Sequence, residues 1–328
     1  MTEKEFYQLA FQFLEKIFLK INAHAIVLED HWDIDHLCYR VETVERYTEL
    51  KNSLMQFTEI LIESPVNGRL ISTFKLRQPL QFKKFKIDLV ELPAPKPNKM
   101  TPEGFEHIEI VCDVPFSDLI NRYPQIALNQ AGLNKEINQE LEFCLGDVNL
   151  KFHHLSLESV IEVEKNPSLV EAFQNLELFS RLKKYQPLIA GSFPLGLQNN
   201  DSDVDILLQA QDLKKLEAEL RQYYGNMLNY LAQFELVDGL PTLVVNFQYQ
   251  NRGFEFFAQD CEPVRQRAYL HFLIEERLLK WGGATFKRRV LEKRQQGLKT
   301  EPAFAEVLAI STDPYQALLE LQKKSILF

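Results

Sequence analysis

Apolar residues recur at helical spacing at the start of the chain, where Phe6, Leu9, Phe13, Ile17 and Ile21 form one stripe among Glu3, Glu5 and Glu15. That spacing predicts an amphipathic helix, and the interspersed acids argue against a secretory signal. From about 21 to 155 the pattern changes to short apolar runs bounded by turn formers: HLCYRV, NGRLISTFKL, FKIDLVEL, HIEIVC and VNLKFHHLSL. These predict β-strands. Helical spacing fills the intervals at about 43–57, 116–130 and 156–165. The stretch PAPKPNKMTPEG (93–104) carries four prolines and predicts an extended crossover between two similar blocks. After EKNPS (164–168), Pro167 stops the preceding helix, and a further helical stretch leads into the strand PLIAG. The domain boundary is therefore expected near 166, giving domains 1–165 and 166–328.

With 328 residues, 45% hydrophobic and 25% charged, the chain can bury a core in each domain. No apolar run is long enough to span a membrane. Cys38, Cys112, Cys144 and Cys261 are scattered without a CxxC pair, so they read as reduced, buried residues of a cytoplasmic protein. The net charge of −9 is carried mostly by the first half: residues 1–165 hold 18 Lys/Arg against 26 Asp/Glu. That balance excludes a duplex DNA binder. One basic segment, with Lys280, Lys287, Arg288, Arg289, Lys293, Arg294 and Lys299, has Glu292 as its sole acid. It is either a solvated helix face or a cradle for polyphosphate or RNA.

The sharpest chemical signal is GSFPLGLQNNDSDVDILL (191–208), a small turn followed by Asp201, Asp203 and Asp205. Alternate strand residues point the same way, so Asp203 and Asp205 share a face while Val204 and Ile206 enter a core. Two like charges that close repel unless a cation lies between them. An EF-hand loop opens similarly, but Ile206 and Asp212 stand where it needs glycine and glutamate. A third acid, Glu255, lies between Phe254 and Phe256 on a strand-like run, joined to PTLVVNFQYQ across the turn Asn251-Arg252-Gly253. A carboxylate in that setting is costly unless it faces a metal or a cleft. Three such acids can hold two magnesium ions.

The order Gly-Ser, D-x-D and a later acid between apolar residues resembles the nucleotidyltransferase superfamily of the DNA polymerase beta type. The resemblance implies a mixed sheet with helices. It also implies that Gly191 and Ser192 grip the phosphates of an NTP and that Asp203, Asp205 and Glu255 hold Mg2+. An NMP would then pass to an acceptor, whether small molecule, RNA or protein. The PLG after the turn and RQQGLKTEPAFAEVLAI...DPYQALLEL are similar to an uncharacterised bacterial family of such proteins.

In the first half, DIDHLCYRV and GFEHIEIVC each place a histidine, His36 or His107, at the start of an apolar strand. Two copies of one strand-helix-strand unit are expected. Glu91 ends a strand of the first copy, and His153 occupies a similar place in the second. Imidazole with carboxylate suits Zn2+, Fe2+, Mn2+ or Ni2+. Arg40 and Arg69 either hold an anionic substrate or pair with the surplus acids. These words, with VELP and KFHHLSLESVIEVE, resemble the YecM-like family of the vicinal oxygen chelate superfamily. That resemblance implies paired β-α-β-β-β modules forming a half-open barrel around a metal. The implied ligands are His36, Glu91 and His107, with His153 or Glu109 as the fourth. His154 stands where relatives have proline. The fold class is thus α+β in two domains. Opposed to a nucleotidyltransferase are a non-catalytic nucleotide or ligand sensor and an N-terminal metal-dependent isomerase or lyase.

Overall fold

The stripe at the start of the chain folds as α1 (Glu3–Ala23). It opens with a capping box: the Thr2 hydroxyl accepts from the Glu5 amide, and the Glu5 carboxylate accepts from the Thr2 amide. Phe6, Phe13, Ile17 and Ile21 are buried, whereas Leu9 faces solvent. The computed structural model describes residues 1–66, 68–97 and 101–323. It divides into two units, Met1–Cys112 with Phe116–Leu157, and Asp113–Pro115 with Glu158–Phe328.

The first unit repeats one pattern twice. The first copy is β1 (Asp33–Arg40), α2 (Val44–Leu54), β2 (Thr58–Val66), β3 (Arg69–Phe82) and β4 (Phe85–Pro93). The second is β5 (Gly104–Val111), α3 (Phe116–Arg122), β6 (Ala127–Asn129), β7 (Glu140–Cys144) and β8 (Asn149–His153). Their strands form one eight-stranded sheet, ordered β2-β3-β4-β1-β5-β8-β7-β6. β1 and β5 meet antiparallel at its centre, while β4 runs parallel to β1 and β8 parallel to β5. The order reads the same from either edge, the mark of two like β-α-β-β-β modules; the barrel is not closed. In the proline-rich connection between them, residues 98–100 lie outside the described residues.

Two sequence expectations shift here. The helix expected over 116–130 ends at Arg122, because Pro124 disfavours helical geometry at Tyr123. The strands β2, β6 and β7, which the apolar pattern did not bring out, complete the two modules.

The second unit begins with α4 (Leu157–Glu164), α5 (Pro167–Asn175) and α6 (Leu178–Leu182), followed by β9 (Leu188–Ala190), β10 (Val204–Gln209) and α7 (Leu213–Tyr224). The strands β11 (Leu228–Val237), β12 (Leu240–Tyr249) and β13 (Arg252–Gln259) form a meander. It is followed by α8 (Arg267–Gln295), α9 (Thr300–Val307) and α10 (Pro314–Lys323). The sheet order is β11-β12-β13-β10-β9, with β10 parallel to β13. Val204, Ile206, Phe254 and Phe256 are fully buried and anchor the central strands. The β12–β13 turn falls at Gln250-Asn251, both at positive φ, rather than on Arg252 and Gly253, which belong to the strand. Gly283, at φ 65° and ψ −165°, kinks α8. Among the described residues no helix is long and apolar enough to cross a membrane.

All four cysteines are free. Cys38 and Cys112 are buried as expected, but Cys144 and Cys261 are partly exposed, because β7 lies near the sheet edge and Cys261 follows the end of β13.

Candidate functional site

In the first unit, strand alternation puts His36, Cys38 and Arg40 on one face of β1. Across the sheet Cys38 is in register with Glu91 on β4 and with His107 on β5, and His36 with Glu109. Those pairings gather ligand atoms of His36, Glu91 and His107 within 4.8 Å of one another. His153 forms a comparable group with His36 and Asp35, and Cys38 one with Glu106 and His107. His153 therefore meets His36 but is not grouped with Glu91 and His107.

Two bulges in the β1–β5 ladder orient the histidines. Between Ile34 and His36 the extra residue is Asp35; between His107 and Phe105 it is Glu106. A bulge re-aims a side chain that alternation would send to the opposite face. Here both acids turn onto the imidazole that follows them: Asp35 Oδ2 lies 2.9 Å from His36 Nδ1, and Glu106 Oε2 lies 3.0 Å from His107 Nδ1. A carboxylate on Nδ1 fixes the ring and directs Nε2 outward, the second-shell arrangement of metal-ligating histidines. His36 Nε2 is buried without a hydrogen-bond partner, as is His153 Nε2. His107 Nε2 lies 3.0 Å from Glu109 Oε1, and His36 Nε2 lies 3.6 Å from the same oxygen.

Electrostatics follow this crowding. Burial disfavours the His36 imidazolium, but the charge of Glu109 and the hydrogen bond to Asp35 hold its pKa well above the usual value. Burial and the Lys151 ammonium also oppose protonation of His107, yet Cys38 and Glu106 keep it up at about 10. Burial pushes His153 down. Both imidazoles are therefore held among acids that favour positive charge between them. An orphaned imidazole nitrogen among buried carboxylates fits a divalent transition metal.

The sequence expectation missed Asp35, Glu106 and Lys151. Cys38 pairs with Glu91, and its counterpart Glu109 pairs with Lys151. The position equivalent to Glu91 in the second module is therefore Lys151, two residues before His153. Its largely covered ammonium bridges Glu109 at 3.2 Å and Glu140 at 3.3 Å. The acid-histidine dipeptides Asp35-His36 and Glu106-His107 were the available sequence signal.

In the second unit β10 lies between β9 and β13, with Asp205 in register beside Ala190 on one side and Glu255 on the other. Gly191, at φ +70°, follows β9 directly against Asp205: a Cβ there would sit 1.7 Å from Asp205 Oδ2. A Cβ on Gly253 would sit 1.7 Å from Asp203 Oδ1. Each aspartate thus lies against a glycine that leaves room for its carboxylate. Burial, then the charges of Glu255 and Asp203, push the Asp205 carboxyl well above the usual range. Burial and Asp203 raise Glu255, and burial raises Asp203. Among the described residues these three acids do not draw together as tightly as the N-terminal groups. Ser192 is buried in the turn after Gly191.

Further charged groups surround the pair. Arg294 donates to the carbonyls of Leu197 and Leu298 and to the Ser202 hydroxyl at 2.9 Å. It thereby ties the segment before Asp203 to α8. Glu275 is fully buried with Oε1 unpartnered, and burial followed by Glu301 pushes its carboxyl well up. In the basic segment, Lys287 pairs with Glu162 at 3.7 Å and Lys293 with Glu306 at 2.5 Å. Arg288 and Arg289 are exposed.

The first unit is thus built of two like β-α-β-β-β modules whose first strands bring His36 and His107 together. The YecM protein family matches residues 3–143, and a domain of unknown function, DUF4269, matches residues 171–321. Protein YecM of Escherichia coli strain K12 is 30% identical over 151 residues, covering 40% of this chain and 78% of that protein. The chain belongs to the YecM family. An uncharacterised protein of Haemophilus influenzae strain Rd is 38% identical over 93 residues, 28% of this chain, which spans about half (49%) of that relative's length. Among solved structures, Protein EC4020 is 27% identical with TM-score 0.41, covering 48% of this chain and 89% of that one. The Cid1 poly(U) polymerase with bound MgGTP is 16% identical with TM-score 0.29, covering 43% and 42%.

Proposed function

We propose that the second unit transfers a nucleoside monophosphate from an NTP to an acceptor, with Asp203, Asp205 and Glu255 holding magnesium. The observation that carries this reading is the pair of glycines, Gly191 and Gly253, each lying against one carboxylate of the segment Asp203-Val204-Asp205 that leads into β10. Carboxylates packed this way, with pKa values raised by burial and mutual repulsion, are held for a cation. Bound magnesium supplies charge neutralisation at the phosphates and activation of an attacking oxygen. The chain's own part is positional. Gly191 lets backbone approach the phosphates, the parallel register of β10 and β13 fixes Asp205 beside Glu255, and Arg294 fixes the segment leading to Asp203. The test is thermal: wild type should melt higher with Mg2+ and NTP than without, by mass action. Asp205→Asn should gain little, and equal gains in both proteins would end the reading.

A second reading is favoured by the two bulges. The first unit holds a divalent transition metal through His36, Glu91 and His107, with Asp35 and Glu106 orienting the rings, and Glu109 or His153 at the fourth position. The metal supplies Lewis acidity toward a bound oxygen ligand. Purified protein should contain a stoichiometric transition metal, and the His36→Ala variant should lose it; equal metal content in the two would remove the reading.

A further inference from the structure

We propose that Arg40 and Arg69 form a subsite for an oxyanion, the carboxylate or phosphate group of a small molecule, on the inner face of the N-terminal sheet. Arg40 continues the β1 face that carries His36 and Cys38. Its Nε donates to Glu106 at 2.6 Å, while Nη1 is buried without a hydrogen-bond partner. A guanidinium nitrogen removed from water and left unpaired is costly, and an oxyanion is the ligand that completes it. Arg69, at the start of β3, shares the parity of Thr73, which is in register with Glu91, and donates through Nη1 to the Ala94 carbonyl at 3.0 Å.

By register through Glu91, Arg40 on β1 and Arg69 on β3 share one face of the sheet. Burial first, and then the charge of Arg40, make Arg69 easier to deprotonate than usual. Glu91, Glu106 and the Cys38 thiol are the groups of opposite tendency facing them. Glu106 is engaged by Arg40 and by His107, and Glu91 belongs to the metal-ligand group. Two cations therefore share one committed carboxylate, and a bound anion relieves their repulsion. A guanidinium's planar fork suits a two-oxygen group. The placement, on the face that carries Glu91, would present that group's neighbouring atoms toward the N-terminal centre. The inference deepens the second reading by naming its substrate class, while anion binding itself needs only the arginines.

The experiment is calorimetric titration of the full chain with inorganic phosphate and, separately, with malonate, in metal-free buffer and again with Zn2+. Metal content is measured in the same samples. Wild type is expected to bind at least one probe without metal, and the stronger probe identifies the source of the oxyanion. The Arg69→Gln variant should weaken binding about tenfold or more, as loss of a charge-assisted pair does, with Arg69→Lys falling between. Arg69 is half-buried, so Arg69→Lys serves if the glutamine variant fails to fold. Absence of binding of both probes to wild type, or unchanged affinity in the Arg69 variants, overturns the subsite even where metal is retained. Anion binding with no metal uptake would sink the second reading and leave the subsite standing.

Discussion

Replacing Gly253 with alanine should separate activity from stability. The new Cβ would lie 1.7 Å from Asp203 Oδ1 and 2.8 Å from its Cγ, so the carboxylate must retreat by roughly 1.5 Å to reach van der Waals contact. Gly253 lies in a strand and its φ is outside the left-handed region, so the backbone accepts alanine. Asp203 is only partly covered, with a side open to solvent, and can rotate, at a cost of about 1 kcal/mol for a strained rotamer. Loss of glycine's unfolded-state freedom returns about 0.5–1 kcal/mol, which leaves the melting temperature nearly unchanged. The site fares otherwise. A misplacement of about 1 Å at reacting groups lowers rates on the order of 100-fold. The assay measures thermal melting and NTP-dependent labelling of acceptor for Gly253→Ala beside wild type. Labelling within about twofold of wild type would show that Asp203 takes no part. A fall in melting temperature matching the loss of activity would show that the glycine serves the fold alone.

Asp205→Asn removes charge from a self-repelling cluster, so without Mg2+ it should be as stable as wild type or slightly more so in thermal melts. Lower stability would contradict the repulsion. Glu106→Gln should weaken transition-metal affinity by about 10–100-fold through loss of a second-shell carboxylate; chelator competition measures this, and unchanged affinity would refute the role of the bulge. His271 supplies a pH test. Burial and then Arg267 bring its folded pKa down to about 4, against about 6.5 unfolded. Its contribution is therefore present above about pH 6.5 and lost as pH falls toward 4, up to roughly 2 kcal/mol after allowance for screening. His271→Phe should flatten that part of a denaturation-versus-pH curve, and an unaltered slope would refute the assignment.

The parts of this architecture that follow simple periodicity were legible in the sequence. The apolar stripe of α1 and the likeness of the His36 and His107 strands follow from spacing alone. What escaped depends on register. Asp35 and Glu106 sit where alternation sends them away from the histidines, and only an extra residue in each strand turns them inward. Lys151 could be matched to Glu91 only through the pairing of β5 with β8. His153, two residues further along, looked equivalent because it is the more obvious ligand. Strand β11 escaped because much of it is exposed, with Leu228, Leu231, Phe234 and Leu236 facing solvent, so no buried face imposed a clean alternation. Glu275 lies on α8, far in sequence from the aspartates, and no local pattern marks a charge recruited over such a distance; Arg294 on the same helix stands out only as part of a basic segment.

The most direct measurement is incubation of the purified chain with each α-labelled NTP, Mg2+ and cell extract, with wild type and Asp205→Asn run side by side. The account predicts that wild type transfers label to RNA, protein or a small molecule with release of pyrophosphate, and that Asp205→Asn does neither. NTP binding by wild type without transfer or pyrophosphate release would contradict it and make the second unit a nucleotide sensor.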